Sequence, residues 1–164
     1  MKMSKTRLFV SKKLSANILI YIKNKQHHFL KNVLRIKKED SINLFDGFTG
    51  EWLSKVISIN RDNIVLQIQN KLRDIPQETD LWLIFAPIKS YRMNITIQKA
   101  TELGISRFIP ILTEYTNQSK INFKNFELNM IEASEQSERL SIPTLDKTIK
   151  LDDLVNNFPS DRGL

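Results

Sequence analysis

Glu102 is the residue whose position folding alone does not explain. From Met93 to Gly104 the chain has the spacing of an amphipathic helix, with Met93, Ile97 and Ala100 on one face and Gln98, Lys99 and Glu102 elsewhere. Glu102 falls in the last turn, where the helix dipole disfavours a negative charge by roughly 0.3 to 1 kcal/mol, and Lys99 precedes it, the weaker order for a helical ion pair. Two readings stand: a solvated surface pair, or a site residue at a helix end beside strand ends. Other chemistries are restricted by what the chain lacks. Its four glycines, Gly47, Gly50, Gly104 and Gly163, build neither a GxGxxG fingerprint nor a phosphate-cradling loop. Cysteine is absent, which excludes disulfides and thiolate metal sites, and the adjacent His27 and His28 are poorly placed to share one zinc ion. No serine sits in a Gly-x-Ser-x-Gly elbow, and Asp152-Asp153 reads as the solvated surface of a polar helix.

The elements that position Glu102 form a strand, a helix and a strand. Leu81 to Ile88 is a short apolar run closed by Pro87, Gly104 stops the helix, and Phe108 to Leu112 is a second apolar run. A short crossover between two buried strands implies parallel pairing. Upstream, residues 7–10, 18–21, 41–45, 52–59 and 63–68 read as strands, with Asp46-Gly47 and Gly50 turning a hairpin and Gln26 to Leu34 forming one short helix. Five short strands and a helix suggest a small closed barrel over residues 1–72. Residues 73–79 read as a linker and 80–164 as an α/β unit. Within the latter, Phe126, Met130, Ala133, Ser137 and Leu140 define a second helix that Pro143 ends. Thr144 to Ile149 follows as a short strand, and a last helical piece runs near Leu151 to Phe158.

Charge divides the chain at the same place. Residues 1–76 carry fifteen Lys and Arg against six Asp and Glu, whereas residues 77–164 carry ten against twelve. The basic half is the nucleic-acid candidate, since releasing counterions gives it affinity for phosphate backbones; a lysine-rich surface without a partner is the alternative. No apolar run approaches the roughly 20 residues of a membrane span, and a cytoplasmic location is expected.

A family resemblance extends this reading. Arg7-x-Phe9, His28 with Val33-Leu34-Arg35, Leu44-Phe45-Asp46-Gly47, Lys89-x-x-Arg92-Met93, Ile97 to Ile105 (IQKATELGI) and Ala133 to Arg139 (ASEQS-x-R) with Pro143 follow one another in an order that resembles the RsmE family of 16S ribosomal RNA uridine-N3 methyltransferases. The resemblance implies a mixed α+β and α/β architecture: a PUA-like barrel that holds RNA, then a SPOUT methyltransferase domain. In that family the SPOUT domain binds S-adenosylmethionine in a C-terminal trefoil knot and forms a homodimer. It makes Arg7, Lys12, Lys13 and Arg35 candidate phosphate contacts. Lys89, Lys99 and Gln136 become RNA-facing cleft residues, and Arg92, Arg139 and Glu102 the catalytic candidates. Arg139 also has the spacing to pair with Glu135, and His28 to be an ordinary helix residue beside Phe29.

Two departures qualify what the resemblance implies. The family's Gly-Pro-Glu-Gly-Gly loop and its later knot segment are absent from these 164 residues, and Asn94 stands where an acidic residue is expected. The expectation is therefore an incomplete SPOUT unit, without cofactor-binding residues and inactive alone, with apolar surface exposed on both strands around Glu102's helix. The implied partners are 16S ribosomal RNA or the small subunit, with no metal and no membrane. A non-catalytic RNA-binding protein is the alternative.

Overall fold

The computed structural model describes residues 6–114, 116 and 121–162, and the chain divides into two compact units after Pro76. In the first, strands β1 (Arg7–Phe9), β2 (Leu19–Ile22), β3 (Ser41–Phe45), β4 (Glu51–Ile59) and β5 (Ile64–Arg73) form one sheet in the order β1-β3-β4-β5-β2. β1 and β3 run parallel and the other pairs antiparallel. Period-two alternation sends Ile20, Ile22, Ile42, Leu44, Ile64, Leu66 and Ile68 inward, where they meet Leu8, Leu14, Leu30 and Val56 in a single core. No ladder joins β1 to β2 among the described residues, so the expected closure into a barrel is not carried by strand pairing. After Phe9 the chain turns along the end of β3 instead: Val10 N–H donates to Phe45 O at 2.9 Å.

Two local expectations are corrected. β5 runs to Arg73, three residues into the polar stretch that begins at Lys71, because Arg73 and Lys71 pair across irregular register with Glu51 and Trp52. The expected helix over Gln26 to Leu34 is α1 (Asn24–His28) continued by a π-helical turn, Phe29–Val33. That turn widens the spiral, so Leu30 is buried while Phe29, Val33 and Leu34 are exposed.

The β3–β4 hairpin is built on one carboxylate. Asp46 Oδ1 accepts from the backbone of Phe48 (2.9 Å) and Thr49 (2.7 Å), while Oδ2 accepts from Thr49 Oγ1 (2.7 Å) and Leu14 N–H (2.8 Å). Burial pushes Asp46 upward, but these hydrogen bonds win and hold it below the usual carboxylate range. Glu51 behaves alike: burial raises it, and hydrogen bonds from Arg73 (2.6 Å) and Arg7 (2.7 Å) lower it further. Both groups titrate lower folded than unfolded, so the stability they contribute is present above an unfolded carboxylate's pKa of about 4 and lost as pH falls through the folded values. The urea midpoint of the first unit is thus expected to fall between pH 7 and pH 3, and to fall less in Asp46→Asn. An equal fall in both would remove Asp46 as a cause.

In the second unit β6 (Trp82–Phe85), α2 (Ser90–Glu102) and β7 (Arg107–Leu112) form the expected strand, helix and parallel strand. Gly104, at φ +94°, closes α2: Ile105 N–H reaches Ala100 O (3.0 Å) and Gly104 N–H reaches Thr101 O (3.1 Å). Helix α3 (Phe123–Gln136) starts at Asn122, whose side chain accepts from Asn125 N–H. It ends before Leu140 and Pro143, because Glu138 takes a left-handed φ of +62°. The strand expected over Thr144 to Ile149 is two, β8 (Thr144–Leu145) and β9 (Ile149–Lys150), laid in turn along one edge of β7. Asp146 interrupts them and binds Arg107 through two oxygens. Helix α4 (Leu151–Asn156) follows.

Alternation along these strands separates two faces. Leu83, Phe85 and Phe108 pack with Met93, Ile97, Phe126 and Met130 of α2 and α3, and Trp82, Ile84, Ile109 and Ile111 pack with Ile149, Leu154 and Phe158. β7 is therefore covered, contrary to expectation, because β8, β9 and α4 lie beside and over it. The expected exposure holds only around β6, where Leu81 and Ile88 are 50% and 47% exposed. Among the described residues no helix is long and apolar enough to cross a membrane.

Candidate functional site

α2 separates the candidate residues into two groups. Lys89 and Arg92 stand exposed at its N-terminal end, just past the carboxyl end of β6, while Lys99 and Glu102 stand at its C-terminal end. Arg92 and Glu102 are ten helical steps apart, about 15 Å along the axis. In an open parallel sheet the ligand crevice forms outside the carboxyl ends of the strands, which is the Lys89 and Arg92 end. Those two cations also oppose the helix dipole, with no acidic residue in the first turn to offset them. Asn94, one turn on, accepts from Asn125 Nδ2 at 3.0 Å and so ties α2 to α3, a role that an acidic residue is not needed for.

At the other end Glu102 is engaged. A hydrogen bond from Lys99 Nζ (2.8 Å) holds its carboxyl below the usual range; slight burial acts the other way and Gln98 Nε2 (3.0 Å) adds to the lowering. A carboxylate so held is a weak proton acceptor, and the surface-pair reading describes its contacts. Gln136 is exposed in the last turn of α3.

Arg139 does not project into a cleft. Its side chain is 7% exposed. Nη1 donates to Thr101 O (3.1 Å) and Ile105 O (2.7 Å), Nη2 to Glu78 Oε2 (2.6 Å), and Nε to Ser141 Oγ (2.8 Å) and, at 3.3 Å, to Glu78 Oε1. Ser141 Oγ closes the ring on Glu78 Oε2 at 2.6 Å. All three guanidinium nitrogens are thus engaged, with Nη1 holding one carbonyl in the last turn of α2 and one just beyond it. Sequence spacing offered Glu135 as its partner; Glu78 and Ser141 were missed, since nothing local marks a pair 61 residues apart.

In the first unit Lys12, Lys13 and Arg35 are exposed, Arg35 at a left-handed φ of +50° directly after the π turn. Arg7 is not available to phosphate. Its Nε is bound to Glu51 with both side chains 7% exposed, and its guanidinium lies 5.6 Å from the Phe45 ring centre. Its two terminal nitrogens are buried without partners. Phe48, 83% exposed at the hairpin tip, was passed over because an Asp-Gly turn draws attention to its bend and not to the residue after it. Among the described residues no group of three or more His, Asp or Glu side chains is placed to hold a metal.

The chain thus joins a basic unit built on a mixed sheet to a unit whose parallel sheet carries helices on both faces. The model of an RNA methyltransferase PUA domain matches residues 22–69, and that of an RNA methyltransferase domain matches residues 76–164. This chain belongs to that RNA methyltransferase family. The ribosomal RNA small subunit methyltransferase E from Rickettsia conorii is 33% identical over 154 residues, covering 93% of this chain and 63% of the relative. That from Buchnera aphidicola of Schizaphis graminum is 27% identical, covering 88% and 62%. The chain thus spans somewhat under two thirds of these relatives' length. The fold is shared with the Neisseria gonorrhoeae enzyme bound to S-adenosyl methionine, at TM-score 0.84 and 22% identity over 95% of this chain and 67% of that one. A Legionella pneumophila methyltransferase solved with the same cofactor gives TM-score 0.83 and 23% identity, over 94% and 67%.

Proposed function

We propose that this chain supplies the RNA-engaging part of an S-adenosylmethionine-dependent methyltransferase that modifies N3 of a uridine in 16S ribosomal RNA. The observation that carries this reading is the exposed pair Lys89 and Arg92, held against the helix dipole at the end of α2 where an α/β crevice forms. N3 of uridine must lose its proton to become a nucleophile, and a guanidinium such as that of the exposed Arg92 stabilises the resulting anion. Lys12, Lys13 and Arg35 then contact phosphate from the basic first unit. In this reading Glu102, paired with Lys99, and Arg139, bound to Glu78, take positioning roles, and Lys99 and Gln136 stand as second-rank contacts at the C-terminal ends of α2 and α3.

Among the described residues none forms a cradle that fits the methyl donor. A glycine-rich loop brings backbone close to such a ligand, yet Gly47 and Gly50 belong to the hairpin, and a side chain at Gly104 would meet nothing within 4 Å. No step through the cofactor is therefore assigned to residues 1–164. In a titration with 16S ribosomal RNA at fixed salt, Lys89→Ala/Arg92→Ala is expected to weaken binding about tenfold and to lower the salt slope by about two. Unchanged affinity and slope would take this end of α2 out of the interface. S-adenosylhomocysteine is expected to produce no binding heat with the same chain, and a measurable affinity would overturn the assignment of the donor's contacts.

A further inference from the structure

We infer that Phe48 is a stacking platform for an unpaired nucleotide, with Lys12 and Lys13 contacting the phosphates that flank it. This deepens the RNA-binding reading and rests on it. Phe48 is 83% exposed, so the fold forgoes the stabilisation that burying such a ring provides. Its backbone is also held still. Its N–H is bonded to Asp46 Oδ1, the preceding Gly47 takes φ +84°, and Thr49 after it is fixed by Asp46 on one side and by Trp52 Nε1 at 2.9 Å on the other. With the backbone under it fixed, only side-chain rotation is lost when a base stacks on the ring, and such stacking is worth about five- to a hundredfold in affinity per base.

The second observation is what shares that carboxylate. Asp46 Oδ2 holds Leu14 N–H, and Val10 N–H is bonded to Phe45 O, so the loop carrying Lys12 and Lys13 is fastened at both ends to the residues that set the hairpin tip. Both lysines are exposed. An exposed aromatic beside exposed cations, in a half of the chain with fifteen basic residues against six acidic, matches the chemistry of single-stranded nucleic acid. Duplex RNA offers no free base face, which separates the two kinds of RNA.

The test is fluorescence anisotropy of the whole chain with a short labelled oligouridine and with an RNA duplex, at one salt concentration. Phe48→Ala is expected to bind the single strand about five- to a hundredfold more weakly and the duplex unchanged, with an unaltered melting curve. Phe48→Tyr is expected to keep the affinity and Phe48→Leu, apolar but without a π face, to lose it. Lys12→Ala/Lys13→Ala is expected to lower the salt slope by about two. Single-strand binding undiminished in Phe48→Ala, or fully kept in Phe48→Leu, overturns the stacking role while leaving the RNA reading intact. Failure of the unsubstituted chain to bind either RNA sinks the RNA reading and this inference together.

Discussion

Arg139→Ala is expected to destabilise the second unit by about 3 kcal/mol, read as a lowered urea midpoint. Removing one member of a buried pair leaves the other charged and unpaired; Ile105 O, just past α2, also loses the Arg139 donor, and Thr101 O is left with Gly104 N–H alone. The lower end of the range for such losses applies because Glu78 keeps 24% of its side chain in water. Arg139→Lys is expected to recover less than half of the loss, since a single ammonium cannot reach a carboxylate, a hydroxyl and two carbonyls in different directions. A change below 1 kcal/mol in the alanine variant would show that the clamp is dispensable. The argument for catalysis by Arg139 would then reopen.

Gly50→Ala is expected to destabilise the first unit by about 3 kcal/mol or more. Gly50 holds φ +106°, and a Cβ there would collide with the Arg73 carbonyl oxygen and come 3.2 Å from Asp74 Cα, both backbone and neither free to move aside. The control is Gly104→Ala. Gly104 also has a positive φ, of +94°, but open space around it, so only the left-handed backbone term of about 1 to 2 kcal/mol is expected. Equal losses at the two positions would mean that dihedral preference alone matters and that the close approach of Arg73 does not.

Where apolar spacing, glycine and strand alternation acted locally, the sequence was readable. Met93 and Ile97 are buried on one face of α2, Gly104 closes it, and β6 and β7 are parallel, as their pattern implied. Effects that depend on distant partners were not readable. Arg73 reads as the first linker residue because a polar stretch follows it, yet Glu51 recruits it into the sheet. Phe29, Val33 and Leu34 have helical spacing but lie on a π turn, so burial falls on Leu30 alone. Most costly for the site, motif order placed Arg92, Glu102 and Arg139 together, whereas α2 holds the first away from the other two and Glu78 occupies the third.

The Glu78 to Arg139 clamp also sets an order of events during synthesis. The first unit has its last strand once Arg73 has left the ribosome, and it can fold while the rest is still being made. Glu78 stands at the start of the second unit, and its partner is polymerised 61 residues later. Until then Ile105 O lacks its Arg139 donor, and the strand faces that α4 covers lie open. The nascent chain thus passes through a stage with one finished unit and one sticky one, the interval in which a chaperone has something to hold.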